Sequence, residues 1–366
     1  MMYHDFYAYY QIENEQSIDQ LINGSGKYND ILDTYQKILL LSTAYSKGKG
    51  VIDYAKSGNR RNRAGLIAIL HSQKKYDQYI HGKLNEIKSL GIDSSIDITL
   101  LPKGSWILEF QLELEKPFLS KDDIPFYIIE NPVKKDVVFG VPYTPATTWK
   151  GNLRWAMMKE FLEKKKDDPE EFAETRFRHT LLFGTEKGWE GTPKGWSEYL
   201  DRMCPDAKRI YRKKLTEMFE KNNDKPEDIH VEGMLHFYPT FWDRIDLMVI
   251  NPHDRKTKTG KNPIYFEIVP EGAKGMFRLL YVPYYWLGDD DEKLKKKVWE
   301  DLSQVIAGVK AMMLKYGFSA KKTIGFGKAR NNFNTGRVEI KGFLSTREFS
   351  NFEGLESIWG VEDEYS

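Results

Sequence analysis

At Ser105 the chain changes its period. Trp106, Leu108, Phe110, Leu112 and Leu114 alternate with Ile107, Glu109, Gln111, Glu113 and Glu115, a two-residue repeat held over a whole strand. Such a strand buries one face and wets the other. Upstream the repeat is helical: Ile31, Leu32, Tyr35, Ile38 and Leu39 recur at three-to-four spacing, as do Leu66, Ile69, Leu70, Tyr76, Ile80, Leu84 and Ile87. Residues 12–92 therefore read as helical, with a boundary near residue 100. Downstream, a charged helical region runs from 153 to about 222, broken at Phe183-Gly184 and by a Gly/Trp-rich stretch ending at Trp196. Strands are expected at 232–241, 244–250, 264–269, 276–282 and 338–343. Asp289-Asp290-Asp291-Glu292 opens a long helix reaching Tyr316, and acidic residues in a first turn offset the helix dipole, so capping explains them better than metal binding. Strands and helices mixed without a regular βαβ alternation predict an α+β fold with an antiparallel sheet. The expected layout is a helical N-terminal extension (1–100), a core (101–345) and an acidic C-terminal tail (346–366).

Composition narrows the function classes. With 55 Lys and Arg against 54 Asp and Glu, the chain is not a polycation, so any nucleic-acid binding must come from local patches. The single cysteine, Cys204, excludes an internal disulfide framework and a Cys-rich zinc site. No apolar stretch is long enough to span a membrane, the longest aliphatic run being Ile38-Leu39-Leu40-Leu41. The N-terminus has His4 and Asp5 and no apolar core, so no signal peptide is expected and the cytoplasm is the expected compartment.

Four segments concentrate chemistry. In Pro142-Tyr143-Thr144-Pro145-Ala146-Thr147-Thr148-Trp149-Lys150-Gly151-Asn152-Leu153-Arg154, a threonine ahead of a helix can cap it. A helix start favours phosphate, and Lys150 and Arg154 add full charge beside it. The segment reads either as an anion site or as a capped helix with two solvated bases. Between residues 46 and 63, Lys47, Lys49, Lys56, Arg60, Arg61 and Arg63 face only Asp53, which marks a solvated loop or one that meets an acidic partner. Lys321-Lys322-Thr323-Ile324-Gly325-Phe326-Gly327-Lys328-Ala329-Arg330 combines bases with glycines that let backbone approach phosphate, though a lone Gly-x-Gly is usually only a turn. Asn251-Pro252-His253-Asp254-Arg255 opens a long polar loop, read as a turn with backbone-phosphate contact from His253 and Arg255. His71, His81 and His236 read as packing or surface residues, and no nucleophile triad, zinc-helix, Walker or Rossmann signature is present. No metal or cofactor is expected.

In this order the segments resemble the RAMP superfamily of CRISPR-associated proteins, whose members are built on ferredoxin-like (RRM-like) domains. The family's loop runs roughly P-x-I-P-G-S-S-L-K-G-x-L-R. The stretch from Pro142 to Arg154 is similar to it in the prolines, the hydroxyls, Lys-Gly and Leu-Arg, but has Ala146 where glycine is usual. Leu182-Phe183-Gly184 and Thr323-Ile324-Gly325-Phe326-Gly327-Lys328-Ala329 resemble further family motifs. A narrower resemblance, to the sixth subunit of type III-B (Cmr) effector complexes, lies in Asp246-Leu247-Met248-Val249-Ile250-Asn251-Pro252-His253 and the Pro263-Ile264-Tyr265-Phe266 that follows. The likeness covers roughly residues 105–340.

The resemblance implies an RNA-binding subunit at the 3′-guide end of a type III complex, with guide RNA, target RNA and other effector subunits as partners and no membrane. Lys150, Arg154, Lys321, Lys322 and Lys328 would hold RNA backbone, with Gly325 and Gly327 allowing close approach, and Thr147, Thr148, Gly151, Arg60, Arg61, Arg63, His253 and Arg255 adding RNA contacts. Related backbone subunits cut target RNA with an aspartate in an Asp-x-Pro-Val loop. Here that loop reads Glu130-Asn131-Pro132-Val133, and the longer side chain displaces the carboxylate, so Glu130 is expected not to be catalytic. The alternatives are a metal-independent RAMP-type endoribonuclease with a histidine base, and a purely structural cap.

Overall fold

The computed structural model describes residues 5–59, 61–72, 75–122, 124, 127–185, 195–219, 229–250 and 263–360. The alternating stretch forms β1 (Trp106–Glu113) at the centre of a five-stranded sheet. After β2 (Tyr143–Thr144) comes the first core helix, Ala146–Met157. Then follow β3 (Leu235–Phe237), β4 (Thr240–Phe241), β5 (Asp246–Ile250), β6 (Ile264–Ile268) and β7 (Lys274–Tyr281), and the second core helix, Asp291–Lys310. β8 (Gly336–Ile340) and β9 (Leu344–Phe349) complete the sheet, whose order is β3-β7-β1-β8-β9 with every pairing antiparallel.

Without β9, that order and the two intervening helices are a ferredoxin-like βαββαβ arrangement. The expectation of an α+β fold with an antiparallel sheet holds. β2 with β4 and β5 with β6 form two small ribbons outside it.

One face of β1 carries Trp106, Leu108, Phe110 and Leu112 into the core against both helices, where Trp149, Leu153, Val298, Leu302 and Val305 are also buried. A Cβ on Gly308 would lie 2.3 Å from Met157 Cγ, so the glycine lets the two core helices approach closely. The other face is less wet than the alternation predicts. Ile107 packs with Ile98, Leu280 and Val282, and Glu109 is held by Arg278 at 3.0 Å, Arg337 at 2.6 Å and Ser95 at 2.8 Å. The segment ahead of β1 folds back over that half of the sheet.

The N-terminal helices share the core. A single apolar cluster runs from Ile12 through Ile80 and Leu108 to Leu355. Tyr76 Oη donates to the Gly140 carbonyl at 2.6 Å and Tyr79 Oη to Phe139 at 2.7 Å, clamping the loop that precedes the first core helix. That loop is also fixed from below: buried Lys135 donates to Glu267 Oε2 of β6, and Tyr127 donates to Oε1 of the same carboxylate.

The C-terminal expectation needs correcting. Residues 346–349 extend the sheet as part of β9, and helix Phe352–Gly360 buries Phe352 and Leu355 fully, so the expected acidic tail is instead strand and helix up to residue 360, anchored in the core by Phe349, Phe352 and Leu355. Its acidic end, Glu362-Asp363-Glu364, lies outside the described residues. Asp290 caps the second core helix, accepting from Lys293 N at 2.9 Å, as expected. No described helix is long and apolar enough to cross a membrane.

Candidate nucleic-acid interface

The first core helix begins at Ala146, seven residues before the expected start, and its N-cap is Pro145. Thr147 and Thr148 are therefore helical and do not cap it; no side chain does. Pro145 instead offers its carbonyl to Thr148 N at 3.0 Å and Trp149 N at 3.2 Å. The helix is anchored by Trp149, fully buried, whose indole N–H donates to Thr240 Oγ1 at 3.0 Å. Trp149 is thus a core residue and not a base-stacking one.

That anchoring fixes what the outer surface presents. Thr147, Thr148, Gly151, Asn152 and Trp155 share one helical stripe, with Lys150 and Arg154 on its flank. Gly151 is exposed, and a Cβ added there would meet nothing within 4 Å. Lys150 is half-buried; burial, and then repulsion from Arg154, hold its amine below the usual lysine range. It has no hydrogen bond or ion pair among the described residues.

Arg154 is placed differently from a surface clamp. It is 7 % exposed, donates from Nη2 to the Gly184 carbonyl at 3.2 Å and lies over the Phe183 ring. There it binds the C-terminal end of helix Pro169–Phe183. His179 of that helix bonds the Arg154 carbonyl at 3.2 Å, and burial with the Arg154 charge lowers its imidazole to about 3.

The glycine loop meets the same stripe. Lys322 Nζ donates to Asn152 Oδ1 at 2.6 Å and stands 4.8 Å from the Trp155 ring centroid. Asn152 Nδ2 in turn donates to the carbonyls of Thr148 (2.9 Å) and Phe318 (3.3 Å). Burial lowers the Lys322 amine, which has no carboxylate partner among the described residues. The loop backbone is stitched to the end of β1: Gly327 N donates to Pro117 O at 2.8 Å, and Lys328 O accepts from Glu115 N at 2.8 Å.

Gly327 has φ +67° and no room for a Cβ against Ser319, so its glycine serves packing. Gly325, at φ +88°, faces open space. Lys321 holds φ 58°, the one positive value among described non-glycine residues, and its amine lies over Phe266.

Between stripe and loop lies an open cleft of about 390 Å³, lined by Thr148, Gly151, Asn152, Trp155, Trp196 and Lys322. Asn152, Trp155 and Trp196 were not singled out as site residues from sequence. The Gly/Trp-rich break ending at Trp196 was the available signal.

Other expected positions lie elsewhere. Arg61 and Arg63 are exposed, and no hydrogen bond or ion pair joins them to the stripe or the loop among the described residues. Arg60, His253 and Arg255 lie outside the described residues. Glu130 pairs with Lys56 at 2.7 Å; burial alone raises its carboxyl, and the Lys56 hydrogen bond and charge reverse that to a net lowering. His236 Nε2 stands 2.8 Å from Tyr284 Oη.

No curated protein matches this sequence. A chain of the type III-B Cmr-beta complex bound to cognate target RNA, solved by electron cryo-microscopy, is 13% identical, covers 88% of this chain and 96% of its own length, and has a TM-score of 0.38. Cmr6 from Pyrococcus furiosus is 15% identical, with 62% and 97% coverage and a TM-score of 0.30. The family model of the RAMP superfamily matches residues 111–330, more than half of the chain, from within β1 to the end of the glycine loop. On that match, the chain belongs to the RAMP superfamily.

Proposed function

We propose that the chain is an RNA-binding subunit of a type III CRISPR RNA-guided interference complex. In this reading it meets neighbouring effector subunits, caps the 3′ end of the guide, and holds guide or target backbone without cutting it. One observation carries the reading: the fold joins the Lys-Gly helix to the glycine loop and leaves two half-buried amines, Lys150 and Lys322, with no carboxylate in salt-bridge contact among the described residues, the more distant Glu232 offsetting only part of the burial at Lys150. A phosphate chain supplies the missing charge. The order of the family motifs along the chain supports the assignment to a type III complex. Phosphate contacts position RNA without reading it, which suits a complex whose specificity comes from base pairing.

Lys150, Lys322, Lys321 and Lys328 contact the backbone, with Thr147, Thr148, Gly151 and Gly325 giving close approach. Arg154 acts from beneath by fixing the helix, and Gly327 by shaping the loop. Arg60, Arg61, Arg63, His253 and Arg255 add peripheral contacts. Glu130, tied to Lys56, is not a nuclease carboxylate. The test is a salt series on Lys150→Ala/Lys322→Ala. Losing two single-strand phosphate contacts lowers the log–log salt slope by about 1.4 and weakens RNA binding. Unchanged affinity and slope would leave the purely structural cap.

The endoribonuclease reading has one observation in its favour, the His236–Tyr284 pair on the Lys150 side of the helix. Burial lowers His236, keeping a neutral imidazole. Its Nε2 is already engaged by Tyr284, so this reading stands second. Cleavage of repeat RNA by the isolated chain in EDTA, abolished by His236→Ala, would promote it.

A further inference from the structure

Resting on the RNA-holding reading, we infer that the cleft beside Gly151 seats one nucleobase of the bound strand on Trp196, with Trp155 as the wall that holds Lys322 toward its phosphate. Trp106, Trp149 and Trp242 are fully buried, as core tryptophans are. Trp155 and Trp196 are only half-buried and both line the cleft. Each is steadied edge-on by a tyrosine, Trp155 by Tyr316 at 4.9 Å and Trp196 by Tyr199 at 6.0 Å, and the Trp155 ring also carries Lys322 and Lys159 at 4.8 and 5.8 Å, which leaves Trp196 as the stacking surface. Its volume, about 390 Å³, lies in the small-ligand range of roughly 300–1,000 Å³.

The wall chemistry names the occupant. Lys322 is held over Trp155 and by Asn152 Oδ1, which leaves ammonium donors for an anion. A ligand with a flat π-face next to a phosphate satisfies the Trp196 indole and the Lys322 ammonium together, and that is a nucleotide. Both Asn152 Nδ2 donors are taken by carbonyls and its Oδ1 accepts from Lys322, so it is a positioning residue.

The experiment compares a single-stranded RNA with an abasic ribose-phosphate chain of equal length, by anisotropy on the full chain. Trp196→Ala is expected to weaken RNA binding roughly ten-fold, leave the abasic chain and the salt slope unchanged, and be largely rescued by Trp196→Phe. Wild-type tryptophan fluorescence is expected to be quenched by RNA and not by the abasic chain, a readout that does not depend on the variant folding. Equal loss on both probes, or no loss on either while Lys150→Ala/Lys322→Ala still weakens RNA, overturns the seat and leaves the RNA-holding reading intact. If the lysine pair also has no effect, the failure lies in that reading.

Discussion

Gly151→Ala separates what the fold wants from what the site wants. The residue lies inside the first core helix, exposed, with nothing within 4 Å of a built Cβ, so the substitution adds no clash and no packing. Only helix propensity remains, and alanine is favoured there by about 0.8–1.0 kcal/mol. Stability therefore rises by about 1 kcal/mol, read as a higher urea midpoint at unchanged m-value. If an RNA backbone crosses the helix at this point, the same methyl group occupies its path. Losing one hydrogen bond to a charged phosphate costs about 1.5–3 kcal/mol, which is ten-fold or more in affinity. Denaturation and anisotropy on one preparation give both numbers. A variant that is more stable and binds RNA equally well would refute the passage of RNA over Gly151. A less stable variant would refute the open-space argument itself.

Three further outcomes are expected. Glu267→Gln leaves Lys135 buried without its counter-charge and destabilises by about 3–5 kcal/mol in urea titration, whereas Lys135→Met/Glu267→Leu recovers most of that loss. Gly308→Ala destabilises by roughly 1–3 kcal/mol despite better helix propensity, because its Cβ would meet Met157 Cγ at 2.3 Å; a neutral result would mean the helices separate freely. His179, lowered to about 3 from 6.5, binds no proton in the native state while the unfolded chain does, so stability is full above pH 6.5 and is lost as pH falls toward 3. His179→Gln flattens that limb of the stability–pH curve, and an unchanged limb would show that His179 is protonated in the fold.

The sheet was legible because β1 writes its period into side-chain chemistry. The start of the first core helix was not. Pro145-Ala146-Thr147-Thr148 reads locally as a loop, since β-branched threonines and Gly151 are poor helix formers. Burial of Trp149, Leu153 and Met157 against the sheet overrides that preference. Misplacing the start hid the face that carries Trp155 and made Arg154 look like a surface base. The Lys322–Asn152 contact joins residues 170 apart in sequence, which no local pattern reveals. The C-terminal helix does carry a local signal: Phe349, Phe352 and Leu355 recur at the spacing of three that marks a buried helix face and its lead-in.

A balanced composition conceals how the charges are distributed. Lys135 is fully buried but carries its own counter-ion, Glu267; Lys310 meets Glu356 at 2.8 Å, and Lys297 meets Asp289 at 2.8 Å. These amines are satisfied inside the chain. Lys150 and Lys322 are lowered by burial and make no ion pair among the described residues, Lys150 feeling only the more distant charge of Glu232. Removing part of an ammonium's hydration without supplying a carboxylate in contact is unfavourable for the free chain. Packing on the Trp149 side of the helix holds Lys150 there regardless, and Asn152 with the Trp155 ring holds Lys322. An anion that restores the missing interaction binds the native state and not the unfolded one, so it must raise the stability of the fold as it binds. A net charge of +1 is therefore compatible with a phosphate-holding site, because what matters is which amines the fold leaves without a partner.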